Sequence, residues 1–270
     1  MAFVNLSGKM MSAPVSMCGM SQTGGRLKAD KSYWEEQWNQ CPDELRCFPA
    51  SRTVECMSLQ HSKVLDVGCG DSKDDLKLNS HFIGGDISYR AAREAKRNNP
   101  DAQFMNLEAT HLPFSQGAFK VVTSHEVIIH QGMNTYKALS EMSRVAEDGI
   151  VFTVRHQDMI EECRTLNRGK GKLHTVQFDF CRALMRQERS RGLFRKPEFG
   201  DLSSDICWLF FEQKGITNLL RRMGFEQIQV SRLGDDGRDG LKTLDKNSGE
   251  DTHLMEVYAF KEGVKMEFEQ

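Results

Sequence analysis

The stretch VLDVGCGDSKDDL runs from Val64 to Leu76, and a second run, FIGGD, closes on Asp86 twenty residues after Asp66. An apolar run that stops at an acid and enters Gly68-Cys69-Gly70 lets the backbone turn tightly and approach a ligand, because glycine has no Cβ. In dinucleotide folds the bare amides of such a turn hold a pyrophosphate, and carboxylates there would repel it. This loop sets Asp71, Asp74 and Asp75 against Lys73 alone, so it suits a ligand that lacks phosphate and carries positive charge. Asp74 and Asp75 have an alternative use as favourable charges in the first turn of a helix following the turn. A carboxylate at Asp86 can accept from two vicinal sugar hydroxyls. Further on, His125 and His130 bracket Glu126 and the apolar triplet Val127-Ile128-Ile129, and imidazoles there are candidates for taking up a proton.

These residues need a scaffold that brings strand ends together. From Lys63 onward short β-type runs alternate with longer polar or helical stretches, the pattern of a mainly parallel sheet with crossover helices. Strands are expected at 63–67, 82–86, 102–106, 119–124, 149–154, 226–231 and 254–260. Between them, helices are expected over 88–99 with Ser88 as N-cap, over 135–149 with Leu139, Met142 and Val145 inward and Gly149 as its stop, and over 212–225, ending at Gly224. Residues 31–61 read as a helical extension that opens with SYWEEQW. There Tyr33, Trp34 and Trp38 recur at helical spacing and pack one face onto the domain. Residues 155–211 read as an insertion. Residues 1–30 read as a disordered tail ahead of a single domain over 31–270.

With 39% hydrophobic and 27% charged residues, the composition is that of a globular protein with a core and a solvated surface. The net charge of −2 selects neither nucleic acid nor membrane for the chain as a whole. Its eight cysteines form no CxxC pair and no tight spacing with histidine, which argues against zinc and for reduced thiols in a cytoplasmic protein. Mitochondrial and nuclear locations stay open. No run approaches a membrane span, and no metal site is expected.

VLDVGCGDS, IGGDIS, LEATHLPF and FKVVTSHEVIIHQ together resemble the class I S-adenosylmethionine-dependent methyltransferases, strongly over residues 63–154 and by strand pattern alone over 212–260. Ser72 departs from the third glycine of that family's first motif. The resemblance implies a doubly wound, mainly parallel seven-stranded α/β sheet with helices on both faces. It also implies S-adenosylmethionine as cofactor, whose sulfonium and ammonium meet the demand for positive charge. By the same resemblance Asp66, Gly68, Cys69 and Gly70 form the turn under the cofactor, and Asp86 with Ile87 meets the ribose. Glu108, in place of the usual aspartate, and Ala109 lie beside the adenine, while Ser124 ends the strand where the methyl group is presented. His130 matches a position where many members carry a histidine.

The acceptor is an unidentified N, O or S nucleophile. Residues 164–196 carry ten basic residues against Asp179 and Glu188, a balance of +8 that would attract RNA, a nucleotide or a phosphorylated metabolite. Two rivals remain. One is a methyltransferase-like partner subunit that activates another protein. The other is a nicotinamide-dependent oxidoreductase, disfavoured by the acids in the turn and by Lys73 at the third glycine of GxGxxG.

Overall fold

The computed structural model describes residues 2–4, 10–12, 31–40, 50–75, 78–128, 134–156, 210–211, 213–232 and 254–264. In chain order these hold β1 (Ala2–Val4), β2 (Met10–Ser12), α1 (Lys31–Gln40), α2 (Ala50–Cys56), β3 (Val64–Val67), β4 (Phe82–Asp86), α3 (Tyr89–Asn98) and β5 (Gln103–Asn106). They continue with β6 (Phe119–Ser124), α4 (Thr135–Val145), β7 (Ala146–His156), β8 (Phe210–Phe211), α5 (Gln213–Arg222), β9 (Gln227–Arg232) and β10 (Leu254–Phe260). Within the expected tail, β1 and β2 form a separate antiparallel pair. The basic segment 164–196 and His130 lie outside the described residues.

The main sheet runs β5-β4-β3-β6-β7-β10-β9, with the two-residue β8 alongside β7. Strands β5 to β7 are parallel along this path, and β10 is antiparallel to both neighbours. All seven strands expected from the sequence are present, and the sheet is seven-stranded and mainly parallel apart from the short β8.

Period-two alternation sorts the strand residues onto two faces. One face carries Leu65, Val67, Val122, Ile150, Phe152 and Val257, covered by Leu139, Met142 and Val145 of α4 and by Ile216, Leu219 and Leu220 of α5. Fully burying side chains of this size contributes about 1.5–3 kcal/mol each. The opposite face carries Val64, Phe82, Val121, Val151 and Tyr258, with Ala50 of α2 and Leu59 against it. Among the described residues no helix is long and apolar enough to cross a membrane.

Two local expectations are corrected. Helix α4 stops at Val145, and Ala146 is already extended at φ −77°, ψ 134°, so the chain passes from helix to strand with no glycine stop. Gly149 lies inside β7, where a Cβ would come 2.5 Å from the Ala259 carbonyl oxygen, so close strand approach is what requires it. The register moves from Phe119↔Ala146 to Val121↔Gly149, a one-residue bulge in β7. Second, no helix follows the glycine turn among the described residues between β3 and β4. The helix on that face, α2, comes from upstream.

Candidate functional site

Strand order reverses beside β3: the chain moves from β3 through β4 to β5 on one side, then from β6 to β7 on the other. In open α/β sheets this switch point leaves a crevice at the carboxyl ends of the strands. The glycine turn lies there, with Gly68 at φ 83° and Gly70 at φ 56°. The amides of Gly68 and Cys69 donate to the Gly85 carbonyl at 2.6 and 3.1 Å, which ties the turn to the end of β4.

Ser72, in place of the third glycine, holds φ 45°. That left-handed conformation costs a non-glycine residue about 1–3 kcal/mol. It is held by Ser72 Oγ donating to the Cys69 carbonyl at 3.2 Å and by Asn99 Nδ2 donating to the Ser72 carbonyl at 2.7 Å. The turn therefore keeps its shape without the third glycine.

Asp86 is the centre of the site. Its Oδ2 accepts from the Gly70 amide at 3.0 Å and its Oδ1 from the Ser88 amide at 2.8 Å, leaving further lone-pair capacity on both oxygens. Burial raises its pKa to about 6 against those two amide bonds, and the charge of Glu35 adds to the rise. Asp66, on β3, accepts from Thr123 Oγ1 at 2.8 Å. Burial holds its carboxyl well above the usual range, and the charges of Asp75 and Asp86 push the same way. Several mutually repelling buried carboxylates around one turn constitute a site that a cation would relieve. Replacing Thr123 by valine removes the donor to Asp66 and should cost about 1–2 kcal/mol in urea unfolding; a loss below a few tenths would show that the bond contributes nothing.

The loop acids divide differently from the expectation. Asp75 Oδ1 accepts from the Ser51 amide at 2.7 Å, so it serves the N-terminus of α2. Asp71 is buried and turned back on Lys73, whose amide donates to it at 3.3 Å and whose ammonium lies 3.8 Å away. Asp74 is exposed. Asp66 and Asp86, both buried and at the ends of β3 and β4, are thus the carboxylates left as candidates for a ligand at the turn.

Beyond β5, the Leu107 amide donates to the Asp86 carbonyl at 2.9 Å, which brings the next residues beside the site. Ala109 is buried there, whereas Glu108 is exposed and accepts from Thr110 Oγ1. Ile87 is half-buried, and its carbonyl accepts from Asn106 Nδ2 at 2.7 Å.

At the end of β6, Ser124 is fully buried and donates to the Val67 carbonyl at 2.9 Å, which ties β6 to β3. His125 Nε2 lies 3.3 Å from Thr53 Oγ1 of α2. Burial, reinforced by the positive charge of Arg52, lowers its pKa to about 3. The ring is therefore neutral at neutral pH and far too weak a base for efficient proton abstraction. Glu126 follows in a left-handed conformation at φ 56°, its amide donating to Thr153 Oγ1 at 2.7 Å.

Two features escaped the sequence reading. Glu256 is a buried carboxylate in β10, opposite Thr153. Burial first and then Glu256's charge push the Tyr258 phenol well up. Its signal is a charge on an inward face, since Glu256, Tyr258 and Phe260 alternate with Met255, Val257 and Ala259 in a strand buried on both sides. The other is Glu35. In the aromatic stripe of the same helix, Trp38 is buried while Tyr33 and Trp34 pack edge to face at 5.3 Å.

Residues 65–154 match a family model described as a methyltransferase domain. The fold is similar to that of an S-adenosylmethionine-dependent methyltransferase of Thermotoga maritima, at 16% identity over 86% of this chain and 96% of that one, with a TM-score of 0.50. It is also similar to the magnesium protoporphyrin IX methyltransferase of Synechocystis PCC 6803 with bound S-adenosylmethionine, at 12% identity over 88% and 100% of the chains and a TM-score of 0.51. A third likeness is to the complex between the Trm112 methyltransferase activator of Haloferax volcanii and its methyltransferase, at 13% identity over 89% and 100% with a TM-score of 0.51. No curated protein matches the chain.

Proposed function

We propose, from the match of residues 65–154 to a methyltransferase domain, that this chain is a class I S-adenosylmethionine-dependent methyltransferase. It moves a methyl group onto a nucleophile held above the ends of β3, β4 and β6. The observation that carries the site assignment is the Asp86 carboxylate bonded to the Gly70 amide at the switch point of the sheet, with buried Asp66 at the end of the adjoining β3.

The residues present fit the cofactor. Asp86 would accept from the ribose hydroxyls, with Ile87 beside it. The bare turn Gly68-Cys69-Gly70 would admit the methionine portion, and the negative field of Asp66 would favour its ammonium. Glu108 and Ala109 would border the adenine, and Ser124 would hold the end of β6 in place. When bound, the cofactor supplies an electrophilic methyl on a sulfonium, so the chain's own task is alignment and, for a hydroxyl or protonated amine acceptor, removal of a proton. His125 has the wrong pKa for that removal, and of the two histidine candidates His130 is retained. The basic segment 164–196 supports an anionic acceptor such as RNA, a nucleotide or a phosphorylated metabolite. A second reading, in which the domain works with a partner protein, draws support from the Haloferax volcanii protein solved with its activator.

Isothermal titration with S-adenosylmethionine and S-adenosylhomocysteine tests the site. Both should bind, and Asp86→Ala should weaken each by about 1–3 kcal/mol, roughly fivefold to 150-fold. Unchanged affinity in that variant would remove Asp86 as the ribose ligand. No binding to the wild type would bring the partner-subunit reading forward.

A further inference from the structure

We propose that α1 is a clamp that holds the turn after β4 in its binding geometry, with Glu35 as the positioning residue. The inference rests on the reading of Asp86 as a cofactor ligand.

Lys31, Glu35 and Asn39 stand at i, i+4 and i+8 and so share one face of α1. Glu35 reaches the start of α3 directly, and the other two reach residues on either side of it. Lys31 Nζ donates to Asn106 Oδ1 at 3.0 Å, and Asn106 Nδ2 in turn donates to the carbonyls of Asp86 and Ile87 at 2.8 and 2.7 Å. Arg90 Nη1 donates to Asn39 Oδ1 at 2.7 Å. Between them, Glu35 Oε1 accepts from the Tyr89 amide at 2.6 Å, and Oε2 accepts from Ser88 Oγ at 3.0 Å and from the Arg90 amide at 3.5 Å.

The first amides of any helix lack intrahelical partners. In α3 the Ala91 amide donates to Ser88 Oγ and the Ala92 amide to the Ser88 carbonyl, both at 3.2 Å. Among the described residues the Tyr89 and Arg90 amides are met from α1, by a residue more than fifty positions upstream. Ser88 is the shared joint. Its hydroxyl donates to Glu35 while accepting from Ala91, which pins its side chain, and its amide holds Asp86 Oδ1. Glu35 therefore sets the orientation of the Asp86 carboxylate through one intervening residue, although it belongs to neither strand of the site.

Glu35→Ala, Ser88→Ala and the double variant should be compared in the full chain by two measurements. The first is amide hydrogen exchange without cofactor. Protection at residues 89–92 should fall in Glu35→Ala while that of β3 and β6 stays at the wild-type level. The second is titration with S-adenosylhomocysteine, where Glu35→Ala should weaken binding by about tenfold. Because both residues act through one contact, the double variant should be no weaker than about the worse single one. Glu35→Gln, which keeps one acceptor oxygen, should recover part of the loss. Unchanged protection at 89–92 overturns the clamp. Lost protection with unchanged affinity overturns the positioning role. A wild type that binds no S-adenosylhomocysteine overturns that role together with the cofactor reading, and the exchange pattern then shows whether the contact itself survives.

Discussion

Gly68→Ala should destabilise the protein by about 2–5 kcal/mol and abolish cofactor binding. Two costs add. At φ 83° an alanine is strained whatever the surrounding space, and a left-handed conformation costs an ordinary residue about 1–2 kcal/mol. The new Cβ would also come 2.1 Å from Val127 Cγ2 and 3.0 Å from both its Cβ and Cγ1. The whole isopropyl group would have to move, and overpacking of this kind costs about 1–3 kcal/mol. Against a typical domain stability of about 5–15 kcal/mol the sum is large. Binding suffers separately, because the amides of Gly68 and Cys69 latch the turn to Gly85 and any shift carries Gly70 away from Asp86. Adding Val127→Ala should restore the packing part of the loss and leave the backbone part. Urea unfolding of the single and double variants checks this; a cost below about 1 kcal/mol for Gly68→Ala would mean that the turn is more pliant than its contacts imply.

The second large effect is a pair of opposed pH dependences. His125 has a folded pKa of about 3 against about 6.5 in an unfolded chain. Below pH 6.5 the unfolded state takes up a proton that the folded state refuses, so stability is lost as pH falls toward 3. At pH 5 the loss from this residue is about 2 kcal/mol. Asp86 works the other way. Its folded pKa of about 6 exceeds the unfolded value of about 3.9, so the folded state binds the proton first. Stability then rises as pH falls from about 6 to about 4, by about 1.4 kcal/mol at pH 5.

Unfolding free energies at pH 7.5 and pH 5 separate the two. The stability advantage of the wild type over His125→Gln should shrink by about 2 kcal/mol on acidification. Relative to Asp86→Asn the wild type should instead gain about 1.4 kcal/mol over the same interval. Parallel curves for wild type and His125→Gln would mean that the imidazole is solvated or charged in the folded protein. Cofactor affinity should follow the ionisation of Asp86 and weaken below pH 6, opposite in sign to that residue's effect on stability.

Much of the framework was legible because its signals are local. The strand runs show period-two alternation, Ser88 precedes a helical pattern and caps it, and the acid-ended GCG turn announces a close backbone approach. Each depends on a few consecutive residues and on backbone sterics. The end of α4 is illegible in the sequence for a related reason: Gly149 looks like a stop in a one-dimensional pattern, and only the neighbouring β10 shows that close approach of the Ala259 carbonyl is what requires it. In the sequence Asp75 groups with the acids beside it, yet its partner is the amide of Ser51, twenty-four positions upstream.

By itself the sequence determined the order of the elements, the mainly parallel sheet and the placing of Asp66, the glycine turn and Asp86 at adjoining strand ends, since periodicity and turn chemistry act over short stretches of chain. Only the tertiary structure decided that Asp75 serves the N-terminus of α2 while Asp86 holds the Gly70 amide, that His125 is held neutral under α2, and that Glu35 completes the N-terminus of α3. Burial, charge and long-range hydrogen bonds arise when distant segments pack, and no short stretch of sequence contains both partners of such a contact.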